Sequence, residues 1–255
     1  MTPATSRTPA TTPPEAGNPV ARVAAELTLA PVALETFLAE HSDRRPLLVE
    51  RDEPGRFDAL LSRAEAERLL TETGMRGPAF RLVRDGAQRP LGGYTTDIPW
   101  RPGAFTQTAR VDRVAQEYAA GATVVLQALH LHATSAARFC RGLEMALGCP
   151  VQANAYWTPG SAQGFGVHHD THDVFVVQVE GHKRWRVYEP VVELPTKEQR
   201  WTDDLGDPGE PVMDFVLGPG DTLYLPRGWP HEAFTSSGPS LHVTVGLHPP
   251  TRLDA

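Results

Sequence analysis

Two histidines and an aspartate, His168, Asp170 and His231, are the residues of this chain best suited to chemistry. His168 and Asp170 stand two apart in Gly164-Phe-Gly-Val-His168-His169-Asp170. A strand turns residues two apart to one face, so the pair is expected to aim together and His169 to aim away. His231 ends a second segment, Gly220-Asp-Thr-Leu-Tyr-Leu-Pro226-Arg-Gly228-Trp-Pro-His231, whose Pro/Gly turn can return an imidazole to the same mouth. Two imidazoles and one carboxylate hold a non-haem ferrous ion on one face and leave the other open. Open positions are where dioxygen chemistry takes place, which points to an oxygenase. Zinc and nickel accept the same ligands, so residue types alone leave the metal open.

A lone His-x-Asp is a weak signal in a chain with ten histidines. The second segment strengthens it. Its form is Gly, five residues, Pro, one residue, Gly, two residues, His, and it resembles the second cupin motif. His169 and His172 fall off the face of His168 under strict alternation and are expected at the surface or behind the ligands. Asp173 is open to two readings, a ligand-orienting acceptor or a solvated loop carboxylate.

The elements that must position these residues change character near residue 150. After it, Val174–Val179, Arg184–Tyr188, Thr222–Leu225 and Leu241–Val245 read as short strands rich in β-branched and aromatic residues, separated by Gly, Pro, Asp and Ser. Such repetition suggests a barrel or jelly roll. Before it, a helix is expected from Pro31 with Leu34, Phe37 and Leu38 on one side, then a short buried strand over Pro46–Val49. Ser62-Arg-Ala-Glu65 fits a capping box, with Gly74 as the stop. Helices over Val111–Ala120 and Ser135–Leu147 flank a strand at Thr123–Leu126. The expected plan is mainly β: a disordered Thr/Pro-rich tail over residues 1–20, then one domain over 21–255. Within it, 21–150 would be a helix-rich section wrapped onto a barrel core at 151–250.

Composition narrows the function classes. The 255 residues carry a net charge of -7, which argues against broad nucleic-acid binding. Two cysteines, Cys140 and Cys149, are too few for a disulfide framework, and Cys140 shares a helical face with Leu143 and Leu147. No apolar run approaches the roughly 18 residues of a membrane span, and no signal-peptide pattern opens the chain. A reducing cytoplasmic setting is the default expectation, and it also keeps iron ferrous. Nothing in the sequence sets the oligomeric state.

Taken together, Asn154-Ala-Tyr156-Trp-Thr-Pro159, Gln163-Gly-Phe165, His168-His-Asp170, Phe175-Val-Val-Gln-Val-Glu-Gly181, Lys183-Arg-Trp185 and Gly220-Asp221 to His231 resemble the JmjC-type 2-oxoglutarate oxygenases, within them the ribosomal-oxygenase subgroup. A looser match reaches back to about residue 30 through Arg45-Pro-Leu-Leu48 and Gly121-Ala-Thr123. The resemblance implies a double-stranded β-helix with Fe(II) held by His168, Asp170 and His231. It implies that Lys183 pairs with the distal carboxylate of 2-oxoglutarate, and that Asn154 and Tyr156 line the pocket. Gly246 stands where related sequences carry a small hydroxyl residue, a contact that Thr244 would supply instead. An exposed lysine at a strand start, ordinary barrel-wall packing for Asn154 and Tyr156, and core or rim places for Trp157 and Trp185 are the plainer readings.

The activity so implied is hydroxylation of an unactivated C–H bond, with dioxygen and 2-oxoglutarate consumed and succinate and carbon dioxide released. The expected substrate is a peptide or protein side chain, with a peptide natural-product precursor as the smaller alternative. Members of the subgroup usually continue into a helical dimerisation region and a winged-helix-like end. This chain's last predicted strand lies close to Ala255, so a grip on a large ribosomal target is expected to be absent. Two other classes stand beside this reading: a metal-dependent cupin enzyme acting on a small molecule without 2-oxoglutarate, and a non-catalytic cupin binding module.

Overall fold

The computed structural model describes residues 18–100 and 103–249. Among these, five helices, α1 (Pro19–Leu29), α2 (Leu34–Glu40), α3 (Arg63–Glu72), α4 (Val111–Ala119) and α5 (Thr134–Leu147), accompany thirteen strands. The strands are β1 (Leu47–Val49), β2 (Phe80–Arg84), β3 (Ala87–Gln88), β4 (Thr95–Trp100), β5 (Gly103–Ala109), β6 (Thr123–Leu126), β7 (Val151–Thr158), β8 (Asp173–Gly181), β9 (Lys183–Val187), β10 (Met213–Leu217), β11 (Thr222–Leu225), β12 (His231–Phe234) and β13 (Ser240–Leu247).

Eight strands form one large sheet in the order β1-β11-β8-β13-β7-β6-β2-β3, and a smaller sheet runs β10-β9-β12. All their pairings are antiparallel. The expected jelly roll is therefore present, but its boundary at residue 150 is corrected. β1, β2, β3 and β6 belong to the large sheet, so half its strands come from the helix-rich section, where only β1 and β6 are expected from the sequence. β2 was missed because Phe80-Arg-Leu-Val-Arg84 alternates only imperfectly and its neighbours are Pro, Gly and Asp.

Strand alternation sorts the core into two layers. On β8 and β11, Phe175, Val177 and Tyr224 join a cluster with Phe37 of α2 and Leu143 of α5. Val174, Val176, Leu223 and Leu225 turn the other way and pack with Trp185 and Val187 of β9. Both faces of these strands are covered, which explains their near-continuous apolar runs. Phe37 is fully buried, its ring 5.2 Å from Phe175 and 4.8 Å from Tyr224.

Several expectations shift at the edges. The tail up to residue 17 lies outside the described residues, but Asn18 caps α1 by accepting a bond from Val20 N, with Pro19 in the first turn. The proposed tail boundary at residue 20 is thus too late. The helix expected from Pro31 starts at Leu34, and Leu38 is exposed rather than facing the core. Ser62 does cap α3 through Glu65 N, whereas the Glu65 carboxylate turns to Arg68. Cys140 is buried, as its helical face implied, and burial pushes its thiol up to about 12.

Candidate metal centre and its pocket

His168, Asp170 and His231 come together at one end of the space between the two sheets, with one donor atom from each lying within 4.8 Å of the others. The expected strand for His168-x-Asp170 is corrected. The pair lies in a loop, and its extended shape comes from a single antiparallel bridge to His231. His231 N donates to His168 O at 2.8 Å and His168 N donates back at 3.1 Å, which sets the two rings 4.6 Å apart. Backbone pairing between the segments thus holds two of the three candidate ligands in register.

The turn that returns His231 is fixed by glycine geometry and a carboxylate clamp. Gly220 has φ +95°, and a Cβ there would stand 2.6 Å from Glu53 O. Gly228 has φ +89°, and its N–H donates to Asp170 O at 3.0 Å, tying the turn to the loop. Asp173 resolves as neither expected reading: it is buried and accepts from Tyr224 Oη at 2.6 Å and from Arg227 N at 3.0 Å. It clamps the loop carrying Asp170 onto the turn carrying His231. Burial raises its carboxyl above the ordinary range despite those donors.

Tautomers favour metal binding. His168 Nδ1 lies 2.8 Å from Gly166 O and His231 Nδ1 lies 3.0 Å from Trp229 O. A carbonyl only accepts, so each Nδ1 carries the proton and each Nε2 is left with a lone pair. Burial, with His168 adding to it and Asp170 opposing, pushes the His231 imidazole down to about 4. Asp170 is pulled up by burial but held below its ordinary value by the four histidines around it, His168, His231, His172 and His169. With Nδ1 of each ring on a carbonyl, the set offers two Nε2 atoms and one carboxylate to a metal. His169 behaves as expected, buried away with Nε2 2.9 Å from Gln199 O. His172 does not: its ring lines the same cavity, packed over Gly246, where a Cβ would meet it at 2.7 Å, and stacked on His248 at 4.8 Å.

The cavity of about 280 Å³ runs inward from this cluster. Lys183, Asn154, Tyr156 and Thr244, the four pocket residues expected from sequence, all line it. Lys183 is buried, its Nζ donating to Thr158 Oγ1 at 3.0 Å, and among the described residues no carboxylate pairs with it. Burial alone pushes its ammonium down to about 7. Asn154 Oδ1 accepts from Ala128 N at 2.9 Å, and Thr244 stands opposite Asn154 on the neighbouring strand. Burial raises the Tyr156 phenol, with Asp170 adding to it and Arg81 and Thr244 opposing. Trp185 is a wall of the cavity, 5.9 Å from His231.

His242 was missed. It is buried, stacks on Tyr156 at 5.0 Å and meets Trp185 edge-on at 5.6 Å. Burial, then Lys183, keeps its imidazole well below the ordinary value. The signal was available in Leu241-His-Val-Thr-Val245, where alternation puts His242 on the face of Thr244.

The comparisons with known proteins agree with this geometry. Residues 125–255 match the family model described as JmjC domain. The chain belongs to the JmjC domain family. It is 32% identical over 224 residues to the bifunctional lysine-specific demethylase and histidyl-hydroxylase NO66 of Drosophila persimilis, covering 86% of this chain and 31% of that protein. It is 34% identical over 231 residues to human ribosomal oxygenase 1, covering 88% of this chain and 34% of the relative. The chain therefore spans about a third of the length of these two relatives. In fold, it superposes on Escherichia coli ycfD with a TM-score of 0.59 at 23% identity, over 88% of this chain and 54% of that one. A second structure, YcfD in complex with cobalt and 2-oxoglutarate, gives 0.58 at 22% identity, over 89% and 54% of the two chains. The JmjC likeness read from sequence and the jelly-roll architecture are both borne out.

Proposed function

We propose that this chain is an Fe(II)- and 2-oxoglutarate-dependent oxygenase that hydroxylates an unactivated C–H bond on a peptide or protein side chain. The observation that carries the reading is Lys183, a buried amine with no carboxylate partner among the described residues, in the cavity that also holds the His168, Asp170 and His231 donors. A buried unpaired charge is costly, so this lysine is built for an anion that arrives with a ligand.

His168, Asp170 and His231 would hold the metal through two Nε2 atoms and a carboxylate oxygen. When bound, iron and 2-oxoglutarate supply oxidation by dioxygen, with succinate and carbon dioxide as coproducts. Lys183, steadied by Thr158, would pair with the distal carboxylate of the cosubstrate. Asn154, Tyr156 and Thr244 would line the cosubstrate and substrate space, while Trp185 and His242 close the wall and keep water out. The cobalt and 2-oxoglutarate complex of the E. coli protein supports the cofactor pair, and the relatives' printed names support a protein substrate. A reducing cytoplasmic setting is part of the reading; Cys140 and Cys149 are free, buried thiols. Among the described residues no helix is long and apolar enough to cross a membrane.

The test is anaerobic reconstitution with Fe(II) and 2-oxoglutarate, admission of dioxygen, and measurement of succinate. The expected result is succinate from the wild type and none above background from Asp170→Ala. If 2-oxoglutarate is neither bound nor consumed, a cupin chemistry without it replaces this reading.

A further inference from the structure

The cavity holds a second cation for which the reading above has no use. Arg81 on β2 lines the pocket, its guanidinium 5.4 Å over the Phe165 ring. Among the described residues no carboxylate pairs with it, and its Nε is buried without a hydrogen-bond partner. Buried donors are paired in nearly all native structures, so an unpaired one on a cavity wall calls for a missing acceptor. Stacking occupies the face of the guanidinium and Tyr156 takes part of its N–H edge, which leaves the buried Nε to be satisfied.

Arg81 and Lys183 enter the cavity from different sheets and engage different residues of β7. Arg81 stands opposite Val125, Val125 opposite Tyr156, and Tyr156 opposite His242, one row across β2, β6, β7 and β13. That row spans three strand spacings, about 14 Å of backbone. Lys183 Nζ donates to Thr158 Oγ1 at 3.0 Å, two residues along β7 from Tyr156. Arg81 hydrogen-bonds Tyr156 and stacks on Phe165, which lies 5.8 Å from His168 and 6.0 Å from Tyr156, beside the candidate metal ligands. Two cations in one cavity, one held at Thr158 and the other at Tyr156, suit two anions.

Resting on the oxygenase reading, we propose that Arg81 is the specificity-determining residue for the molecule to be hydroxylated, and that it takes a carboxylate of that substrate. The substrate class so named is a peptide with an acidic side chain or free C-terminus near the target carbon. Guanidinium and carboxylate pair through two parallel hydrogen bonds, which fixes the distance from the anchored group to the metal face as well as the affinity.

The experiment uses the Mn(II)- and 2-oxoglutarate-loaded protein, immobilised, to select from a random heptapeptide pool made half with free and half with amidated C-termini. Wild type is expected to enrich carboxylate-bearing peptides about tenfold or more, the scale of one charged hydrogen bond. Arg81→Gln is expected to lose the enrichment, and Arg81→Lys to keep part of it. No enrichment, enrichment without a carboxylate, or equal carboxylate enrichment by Arg81→Gln overturns the assignment. A parallel titration of 2-oxoglutarate separates the two claims. If it binds while the peptide result fails, only the Arg81 assignment falls; if it does not bind, both fall.

Discussion

The two faces of the large sheet are made from the same strands and obey opposite rules. Outward, Phe175, Val177, Val243 and Val245 meet Phe37 and the helices, and the hydroxyl of Tyr224 in the same cluster is satisfied by Asp173 and Asp43 N. Inward, the residues between them are Tyr156, His242 and Thr244, facing Lys183 and the metal-binding candidates. The outer face lowers the free energy of the fold. The inner face is mixed: Val174, Val176, Leu223 and Leu225 pack against Trp185 and Val187, while among the described residues Lys183 is buried without a carboxylate partner and Arg81 Nε and His242 Nδ1 without hydrogen-bond partners. In this molecule one periodicity of two confines the chemistry to a single face of the sheet.

The largest effect that would break this division concerns the metal cluster. Asp170→Ala should remove succinate formation altogether while leaving the melting temperature of the metal-free protein close to wild type, because the Asp170 side chain lines the cavity from a loop rather than packing in the core. A large loss of metal-free stability would contradict the division. On the outer face, Phe37→Ala should cost about 3–5 kcal/mol in denaturant unfolding, as for other large buried aromatics. Its effect on 2-oxoglutarate affinity should be small, since Phe37 touches the opposite side of the sheet.

Lys183→Met sharpens the contrast by its sign. With the ammonium pushed down to about 7 against an unfolded value near 10.5, the folded state disfavours the charged form. That penalty is fully present below pH 7 and fades as pH rises toward 10.5, because there the unfolded chain binds more protons. The substitution should therefore raise metal-free stability by a few kcal/mol at pH 6 and by progressively less above pH 7, measured by urea unfolding across that range. Destabilisation at pH 6 would mean that the lysine already has an anion in the protein. The smallest effect is on cosubstrate binding: between pH 6 and 8 the wild type should lose about tenfold in affinity for 2-oxoglutarate, since the lysine must gain a proton to bind it.

Legibility in the sequence followed the same division. The outer-face strands were readable because apolar, β-branched runs such as Val174–Val179 have only one good use. The metal-binding candidates were readable because His-x-Asp and a Gly/Pro turn before His231 are local patterns. What escaped was set by distant pairing. No spacing rule announces that His168 is held by a backbone bridge to His231, 63 residues on, or that Asp173 clamps the turn through Tyr224 and Arg227. His172 was assigned away from the site by strict alternation, and the loop around Asp170 does not alternate. β2 carried too weak a pattern to be recognised, so Arg81 was invisible until the register of β2 on β6 put it in the pocket.

The most direct test of the account is calorimetric titration of 2-oxoglutarate at pH 7 into the Mn(II)-loaded wild type, the metal-stripped wild type and Mn(II)-loaded Lys183→Met. Tight binding is predicted only in the first, with a loss of about 10- to 100-fold in the variant, the scale of a charge-assisted hydrogen bond. Equal affinity in all three would contradict it.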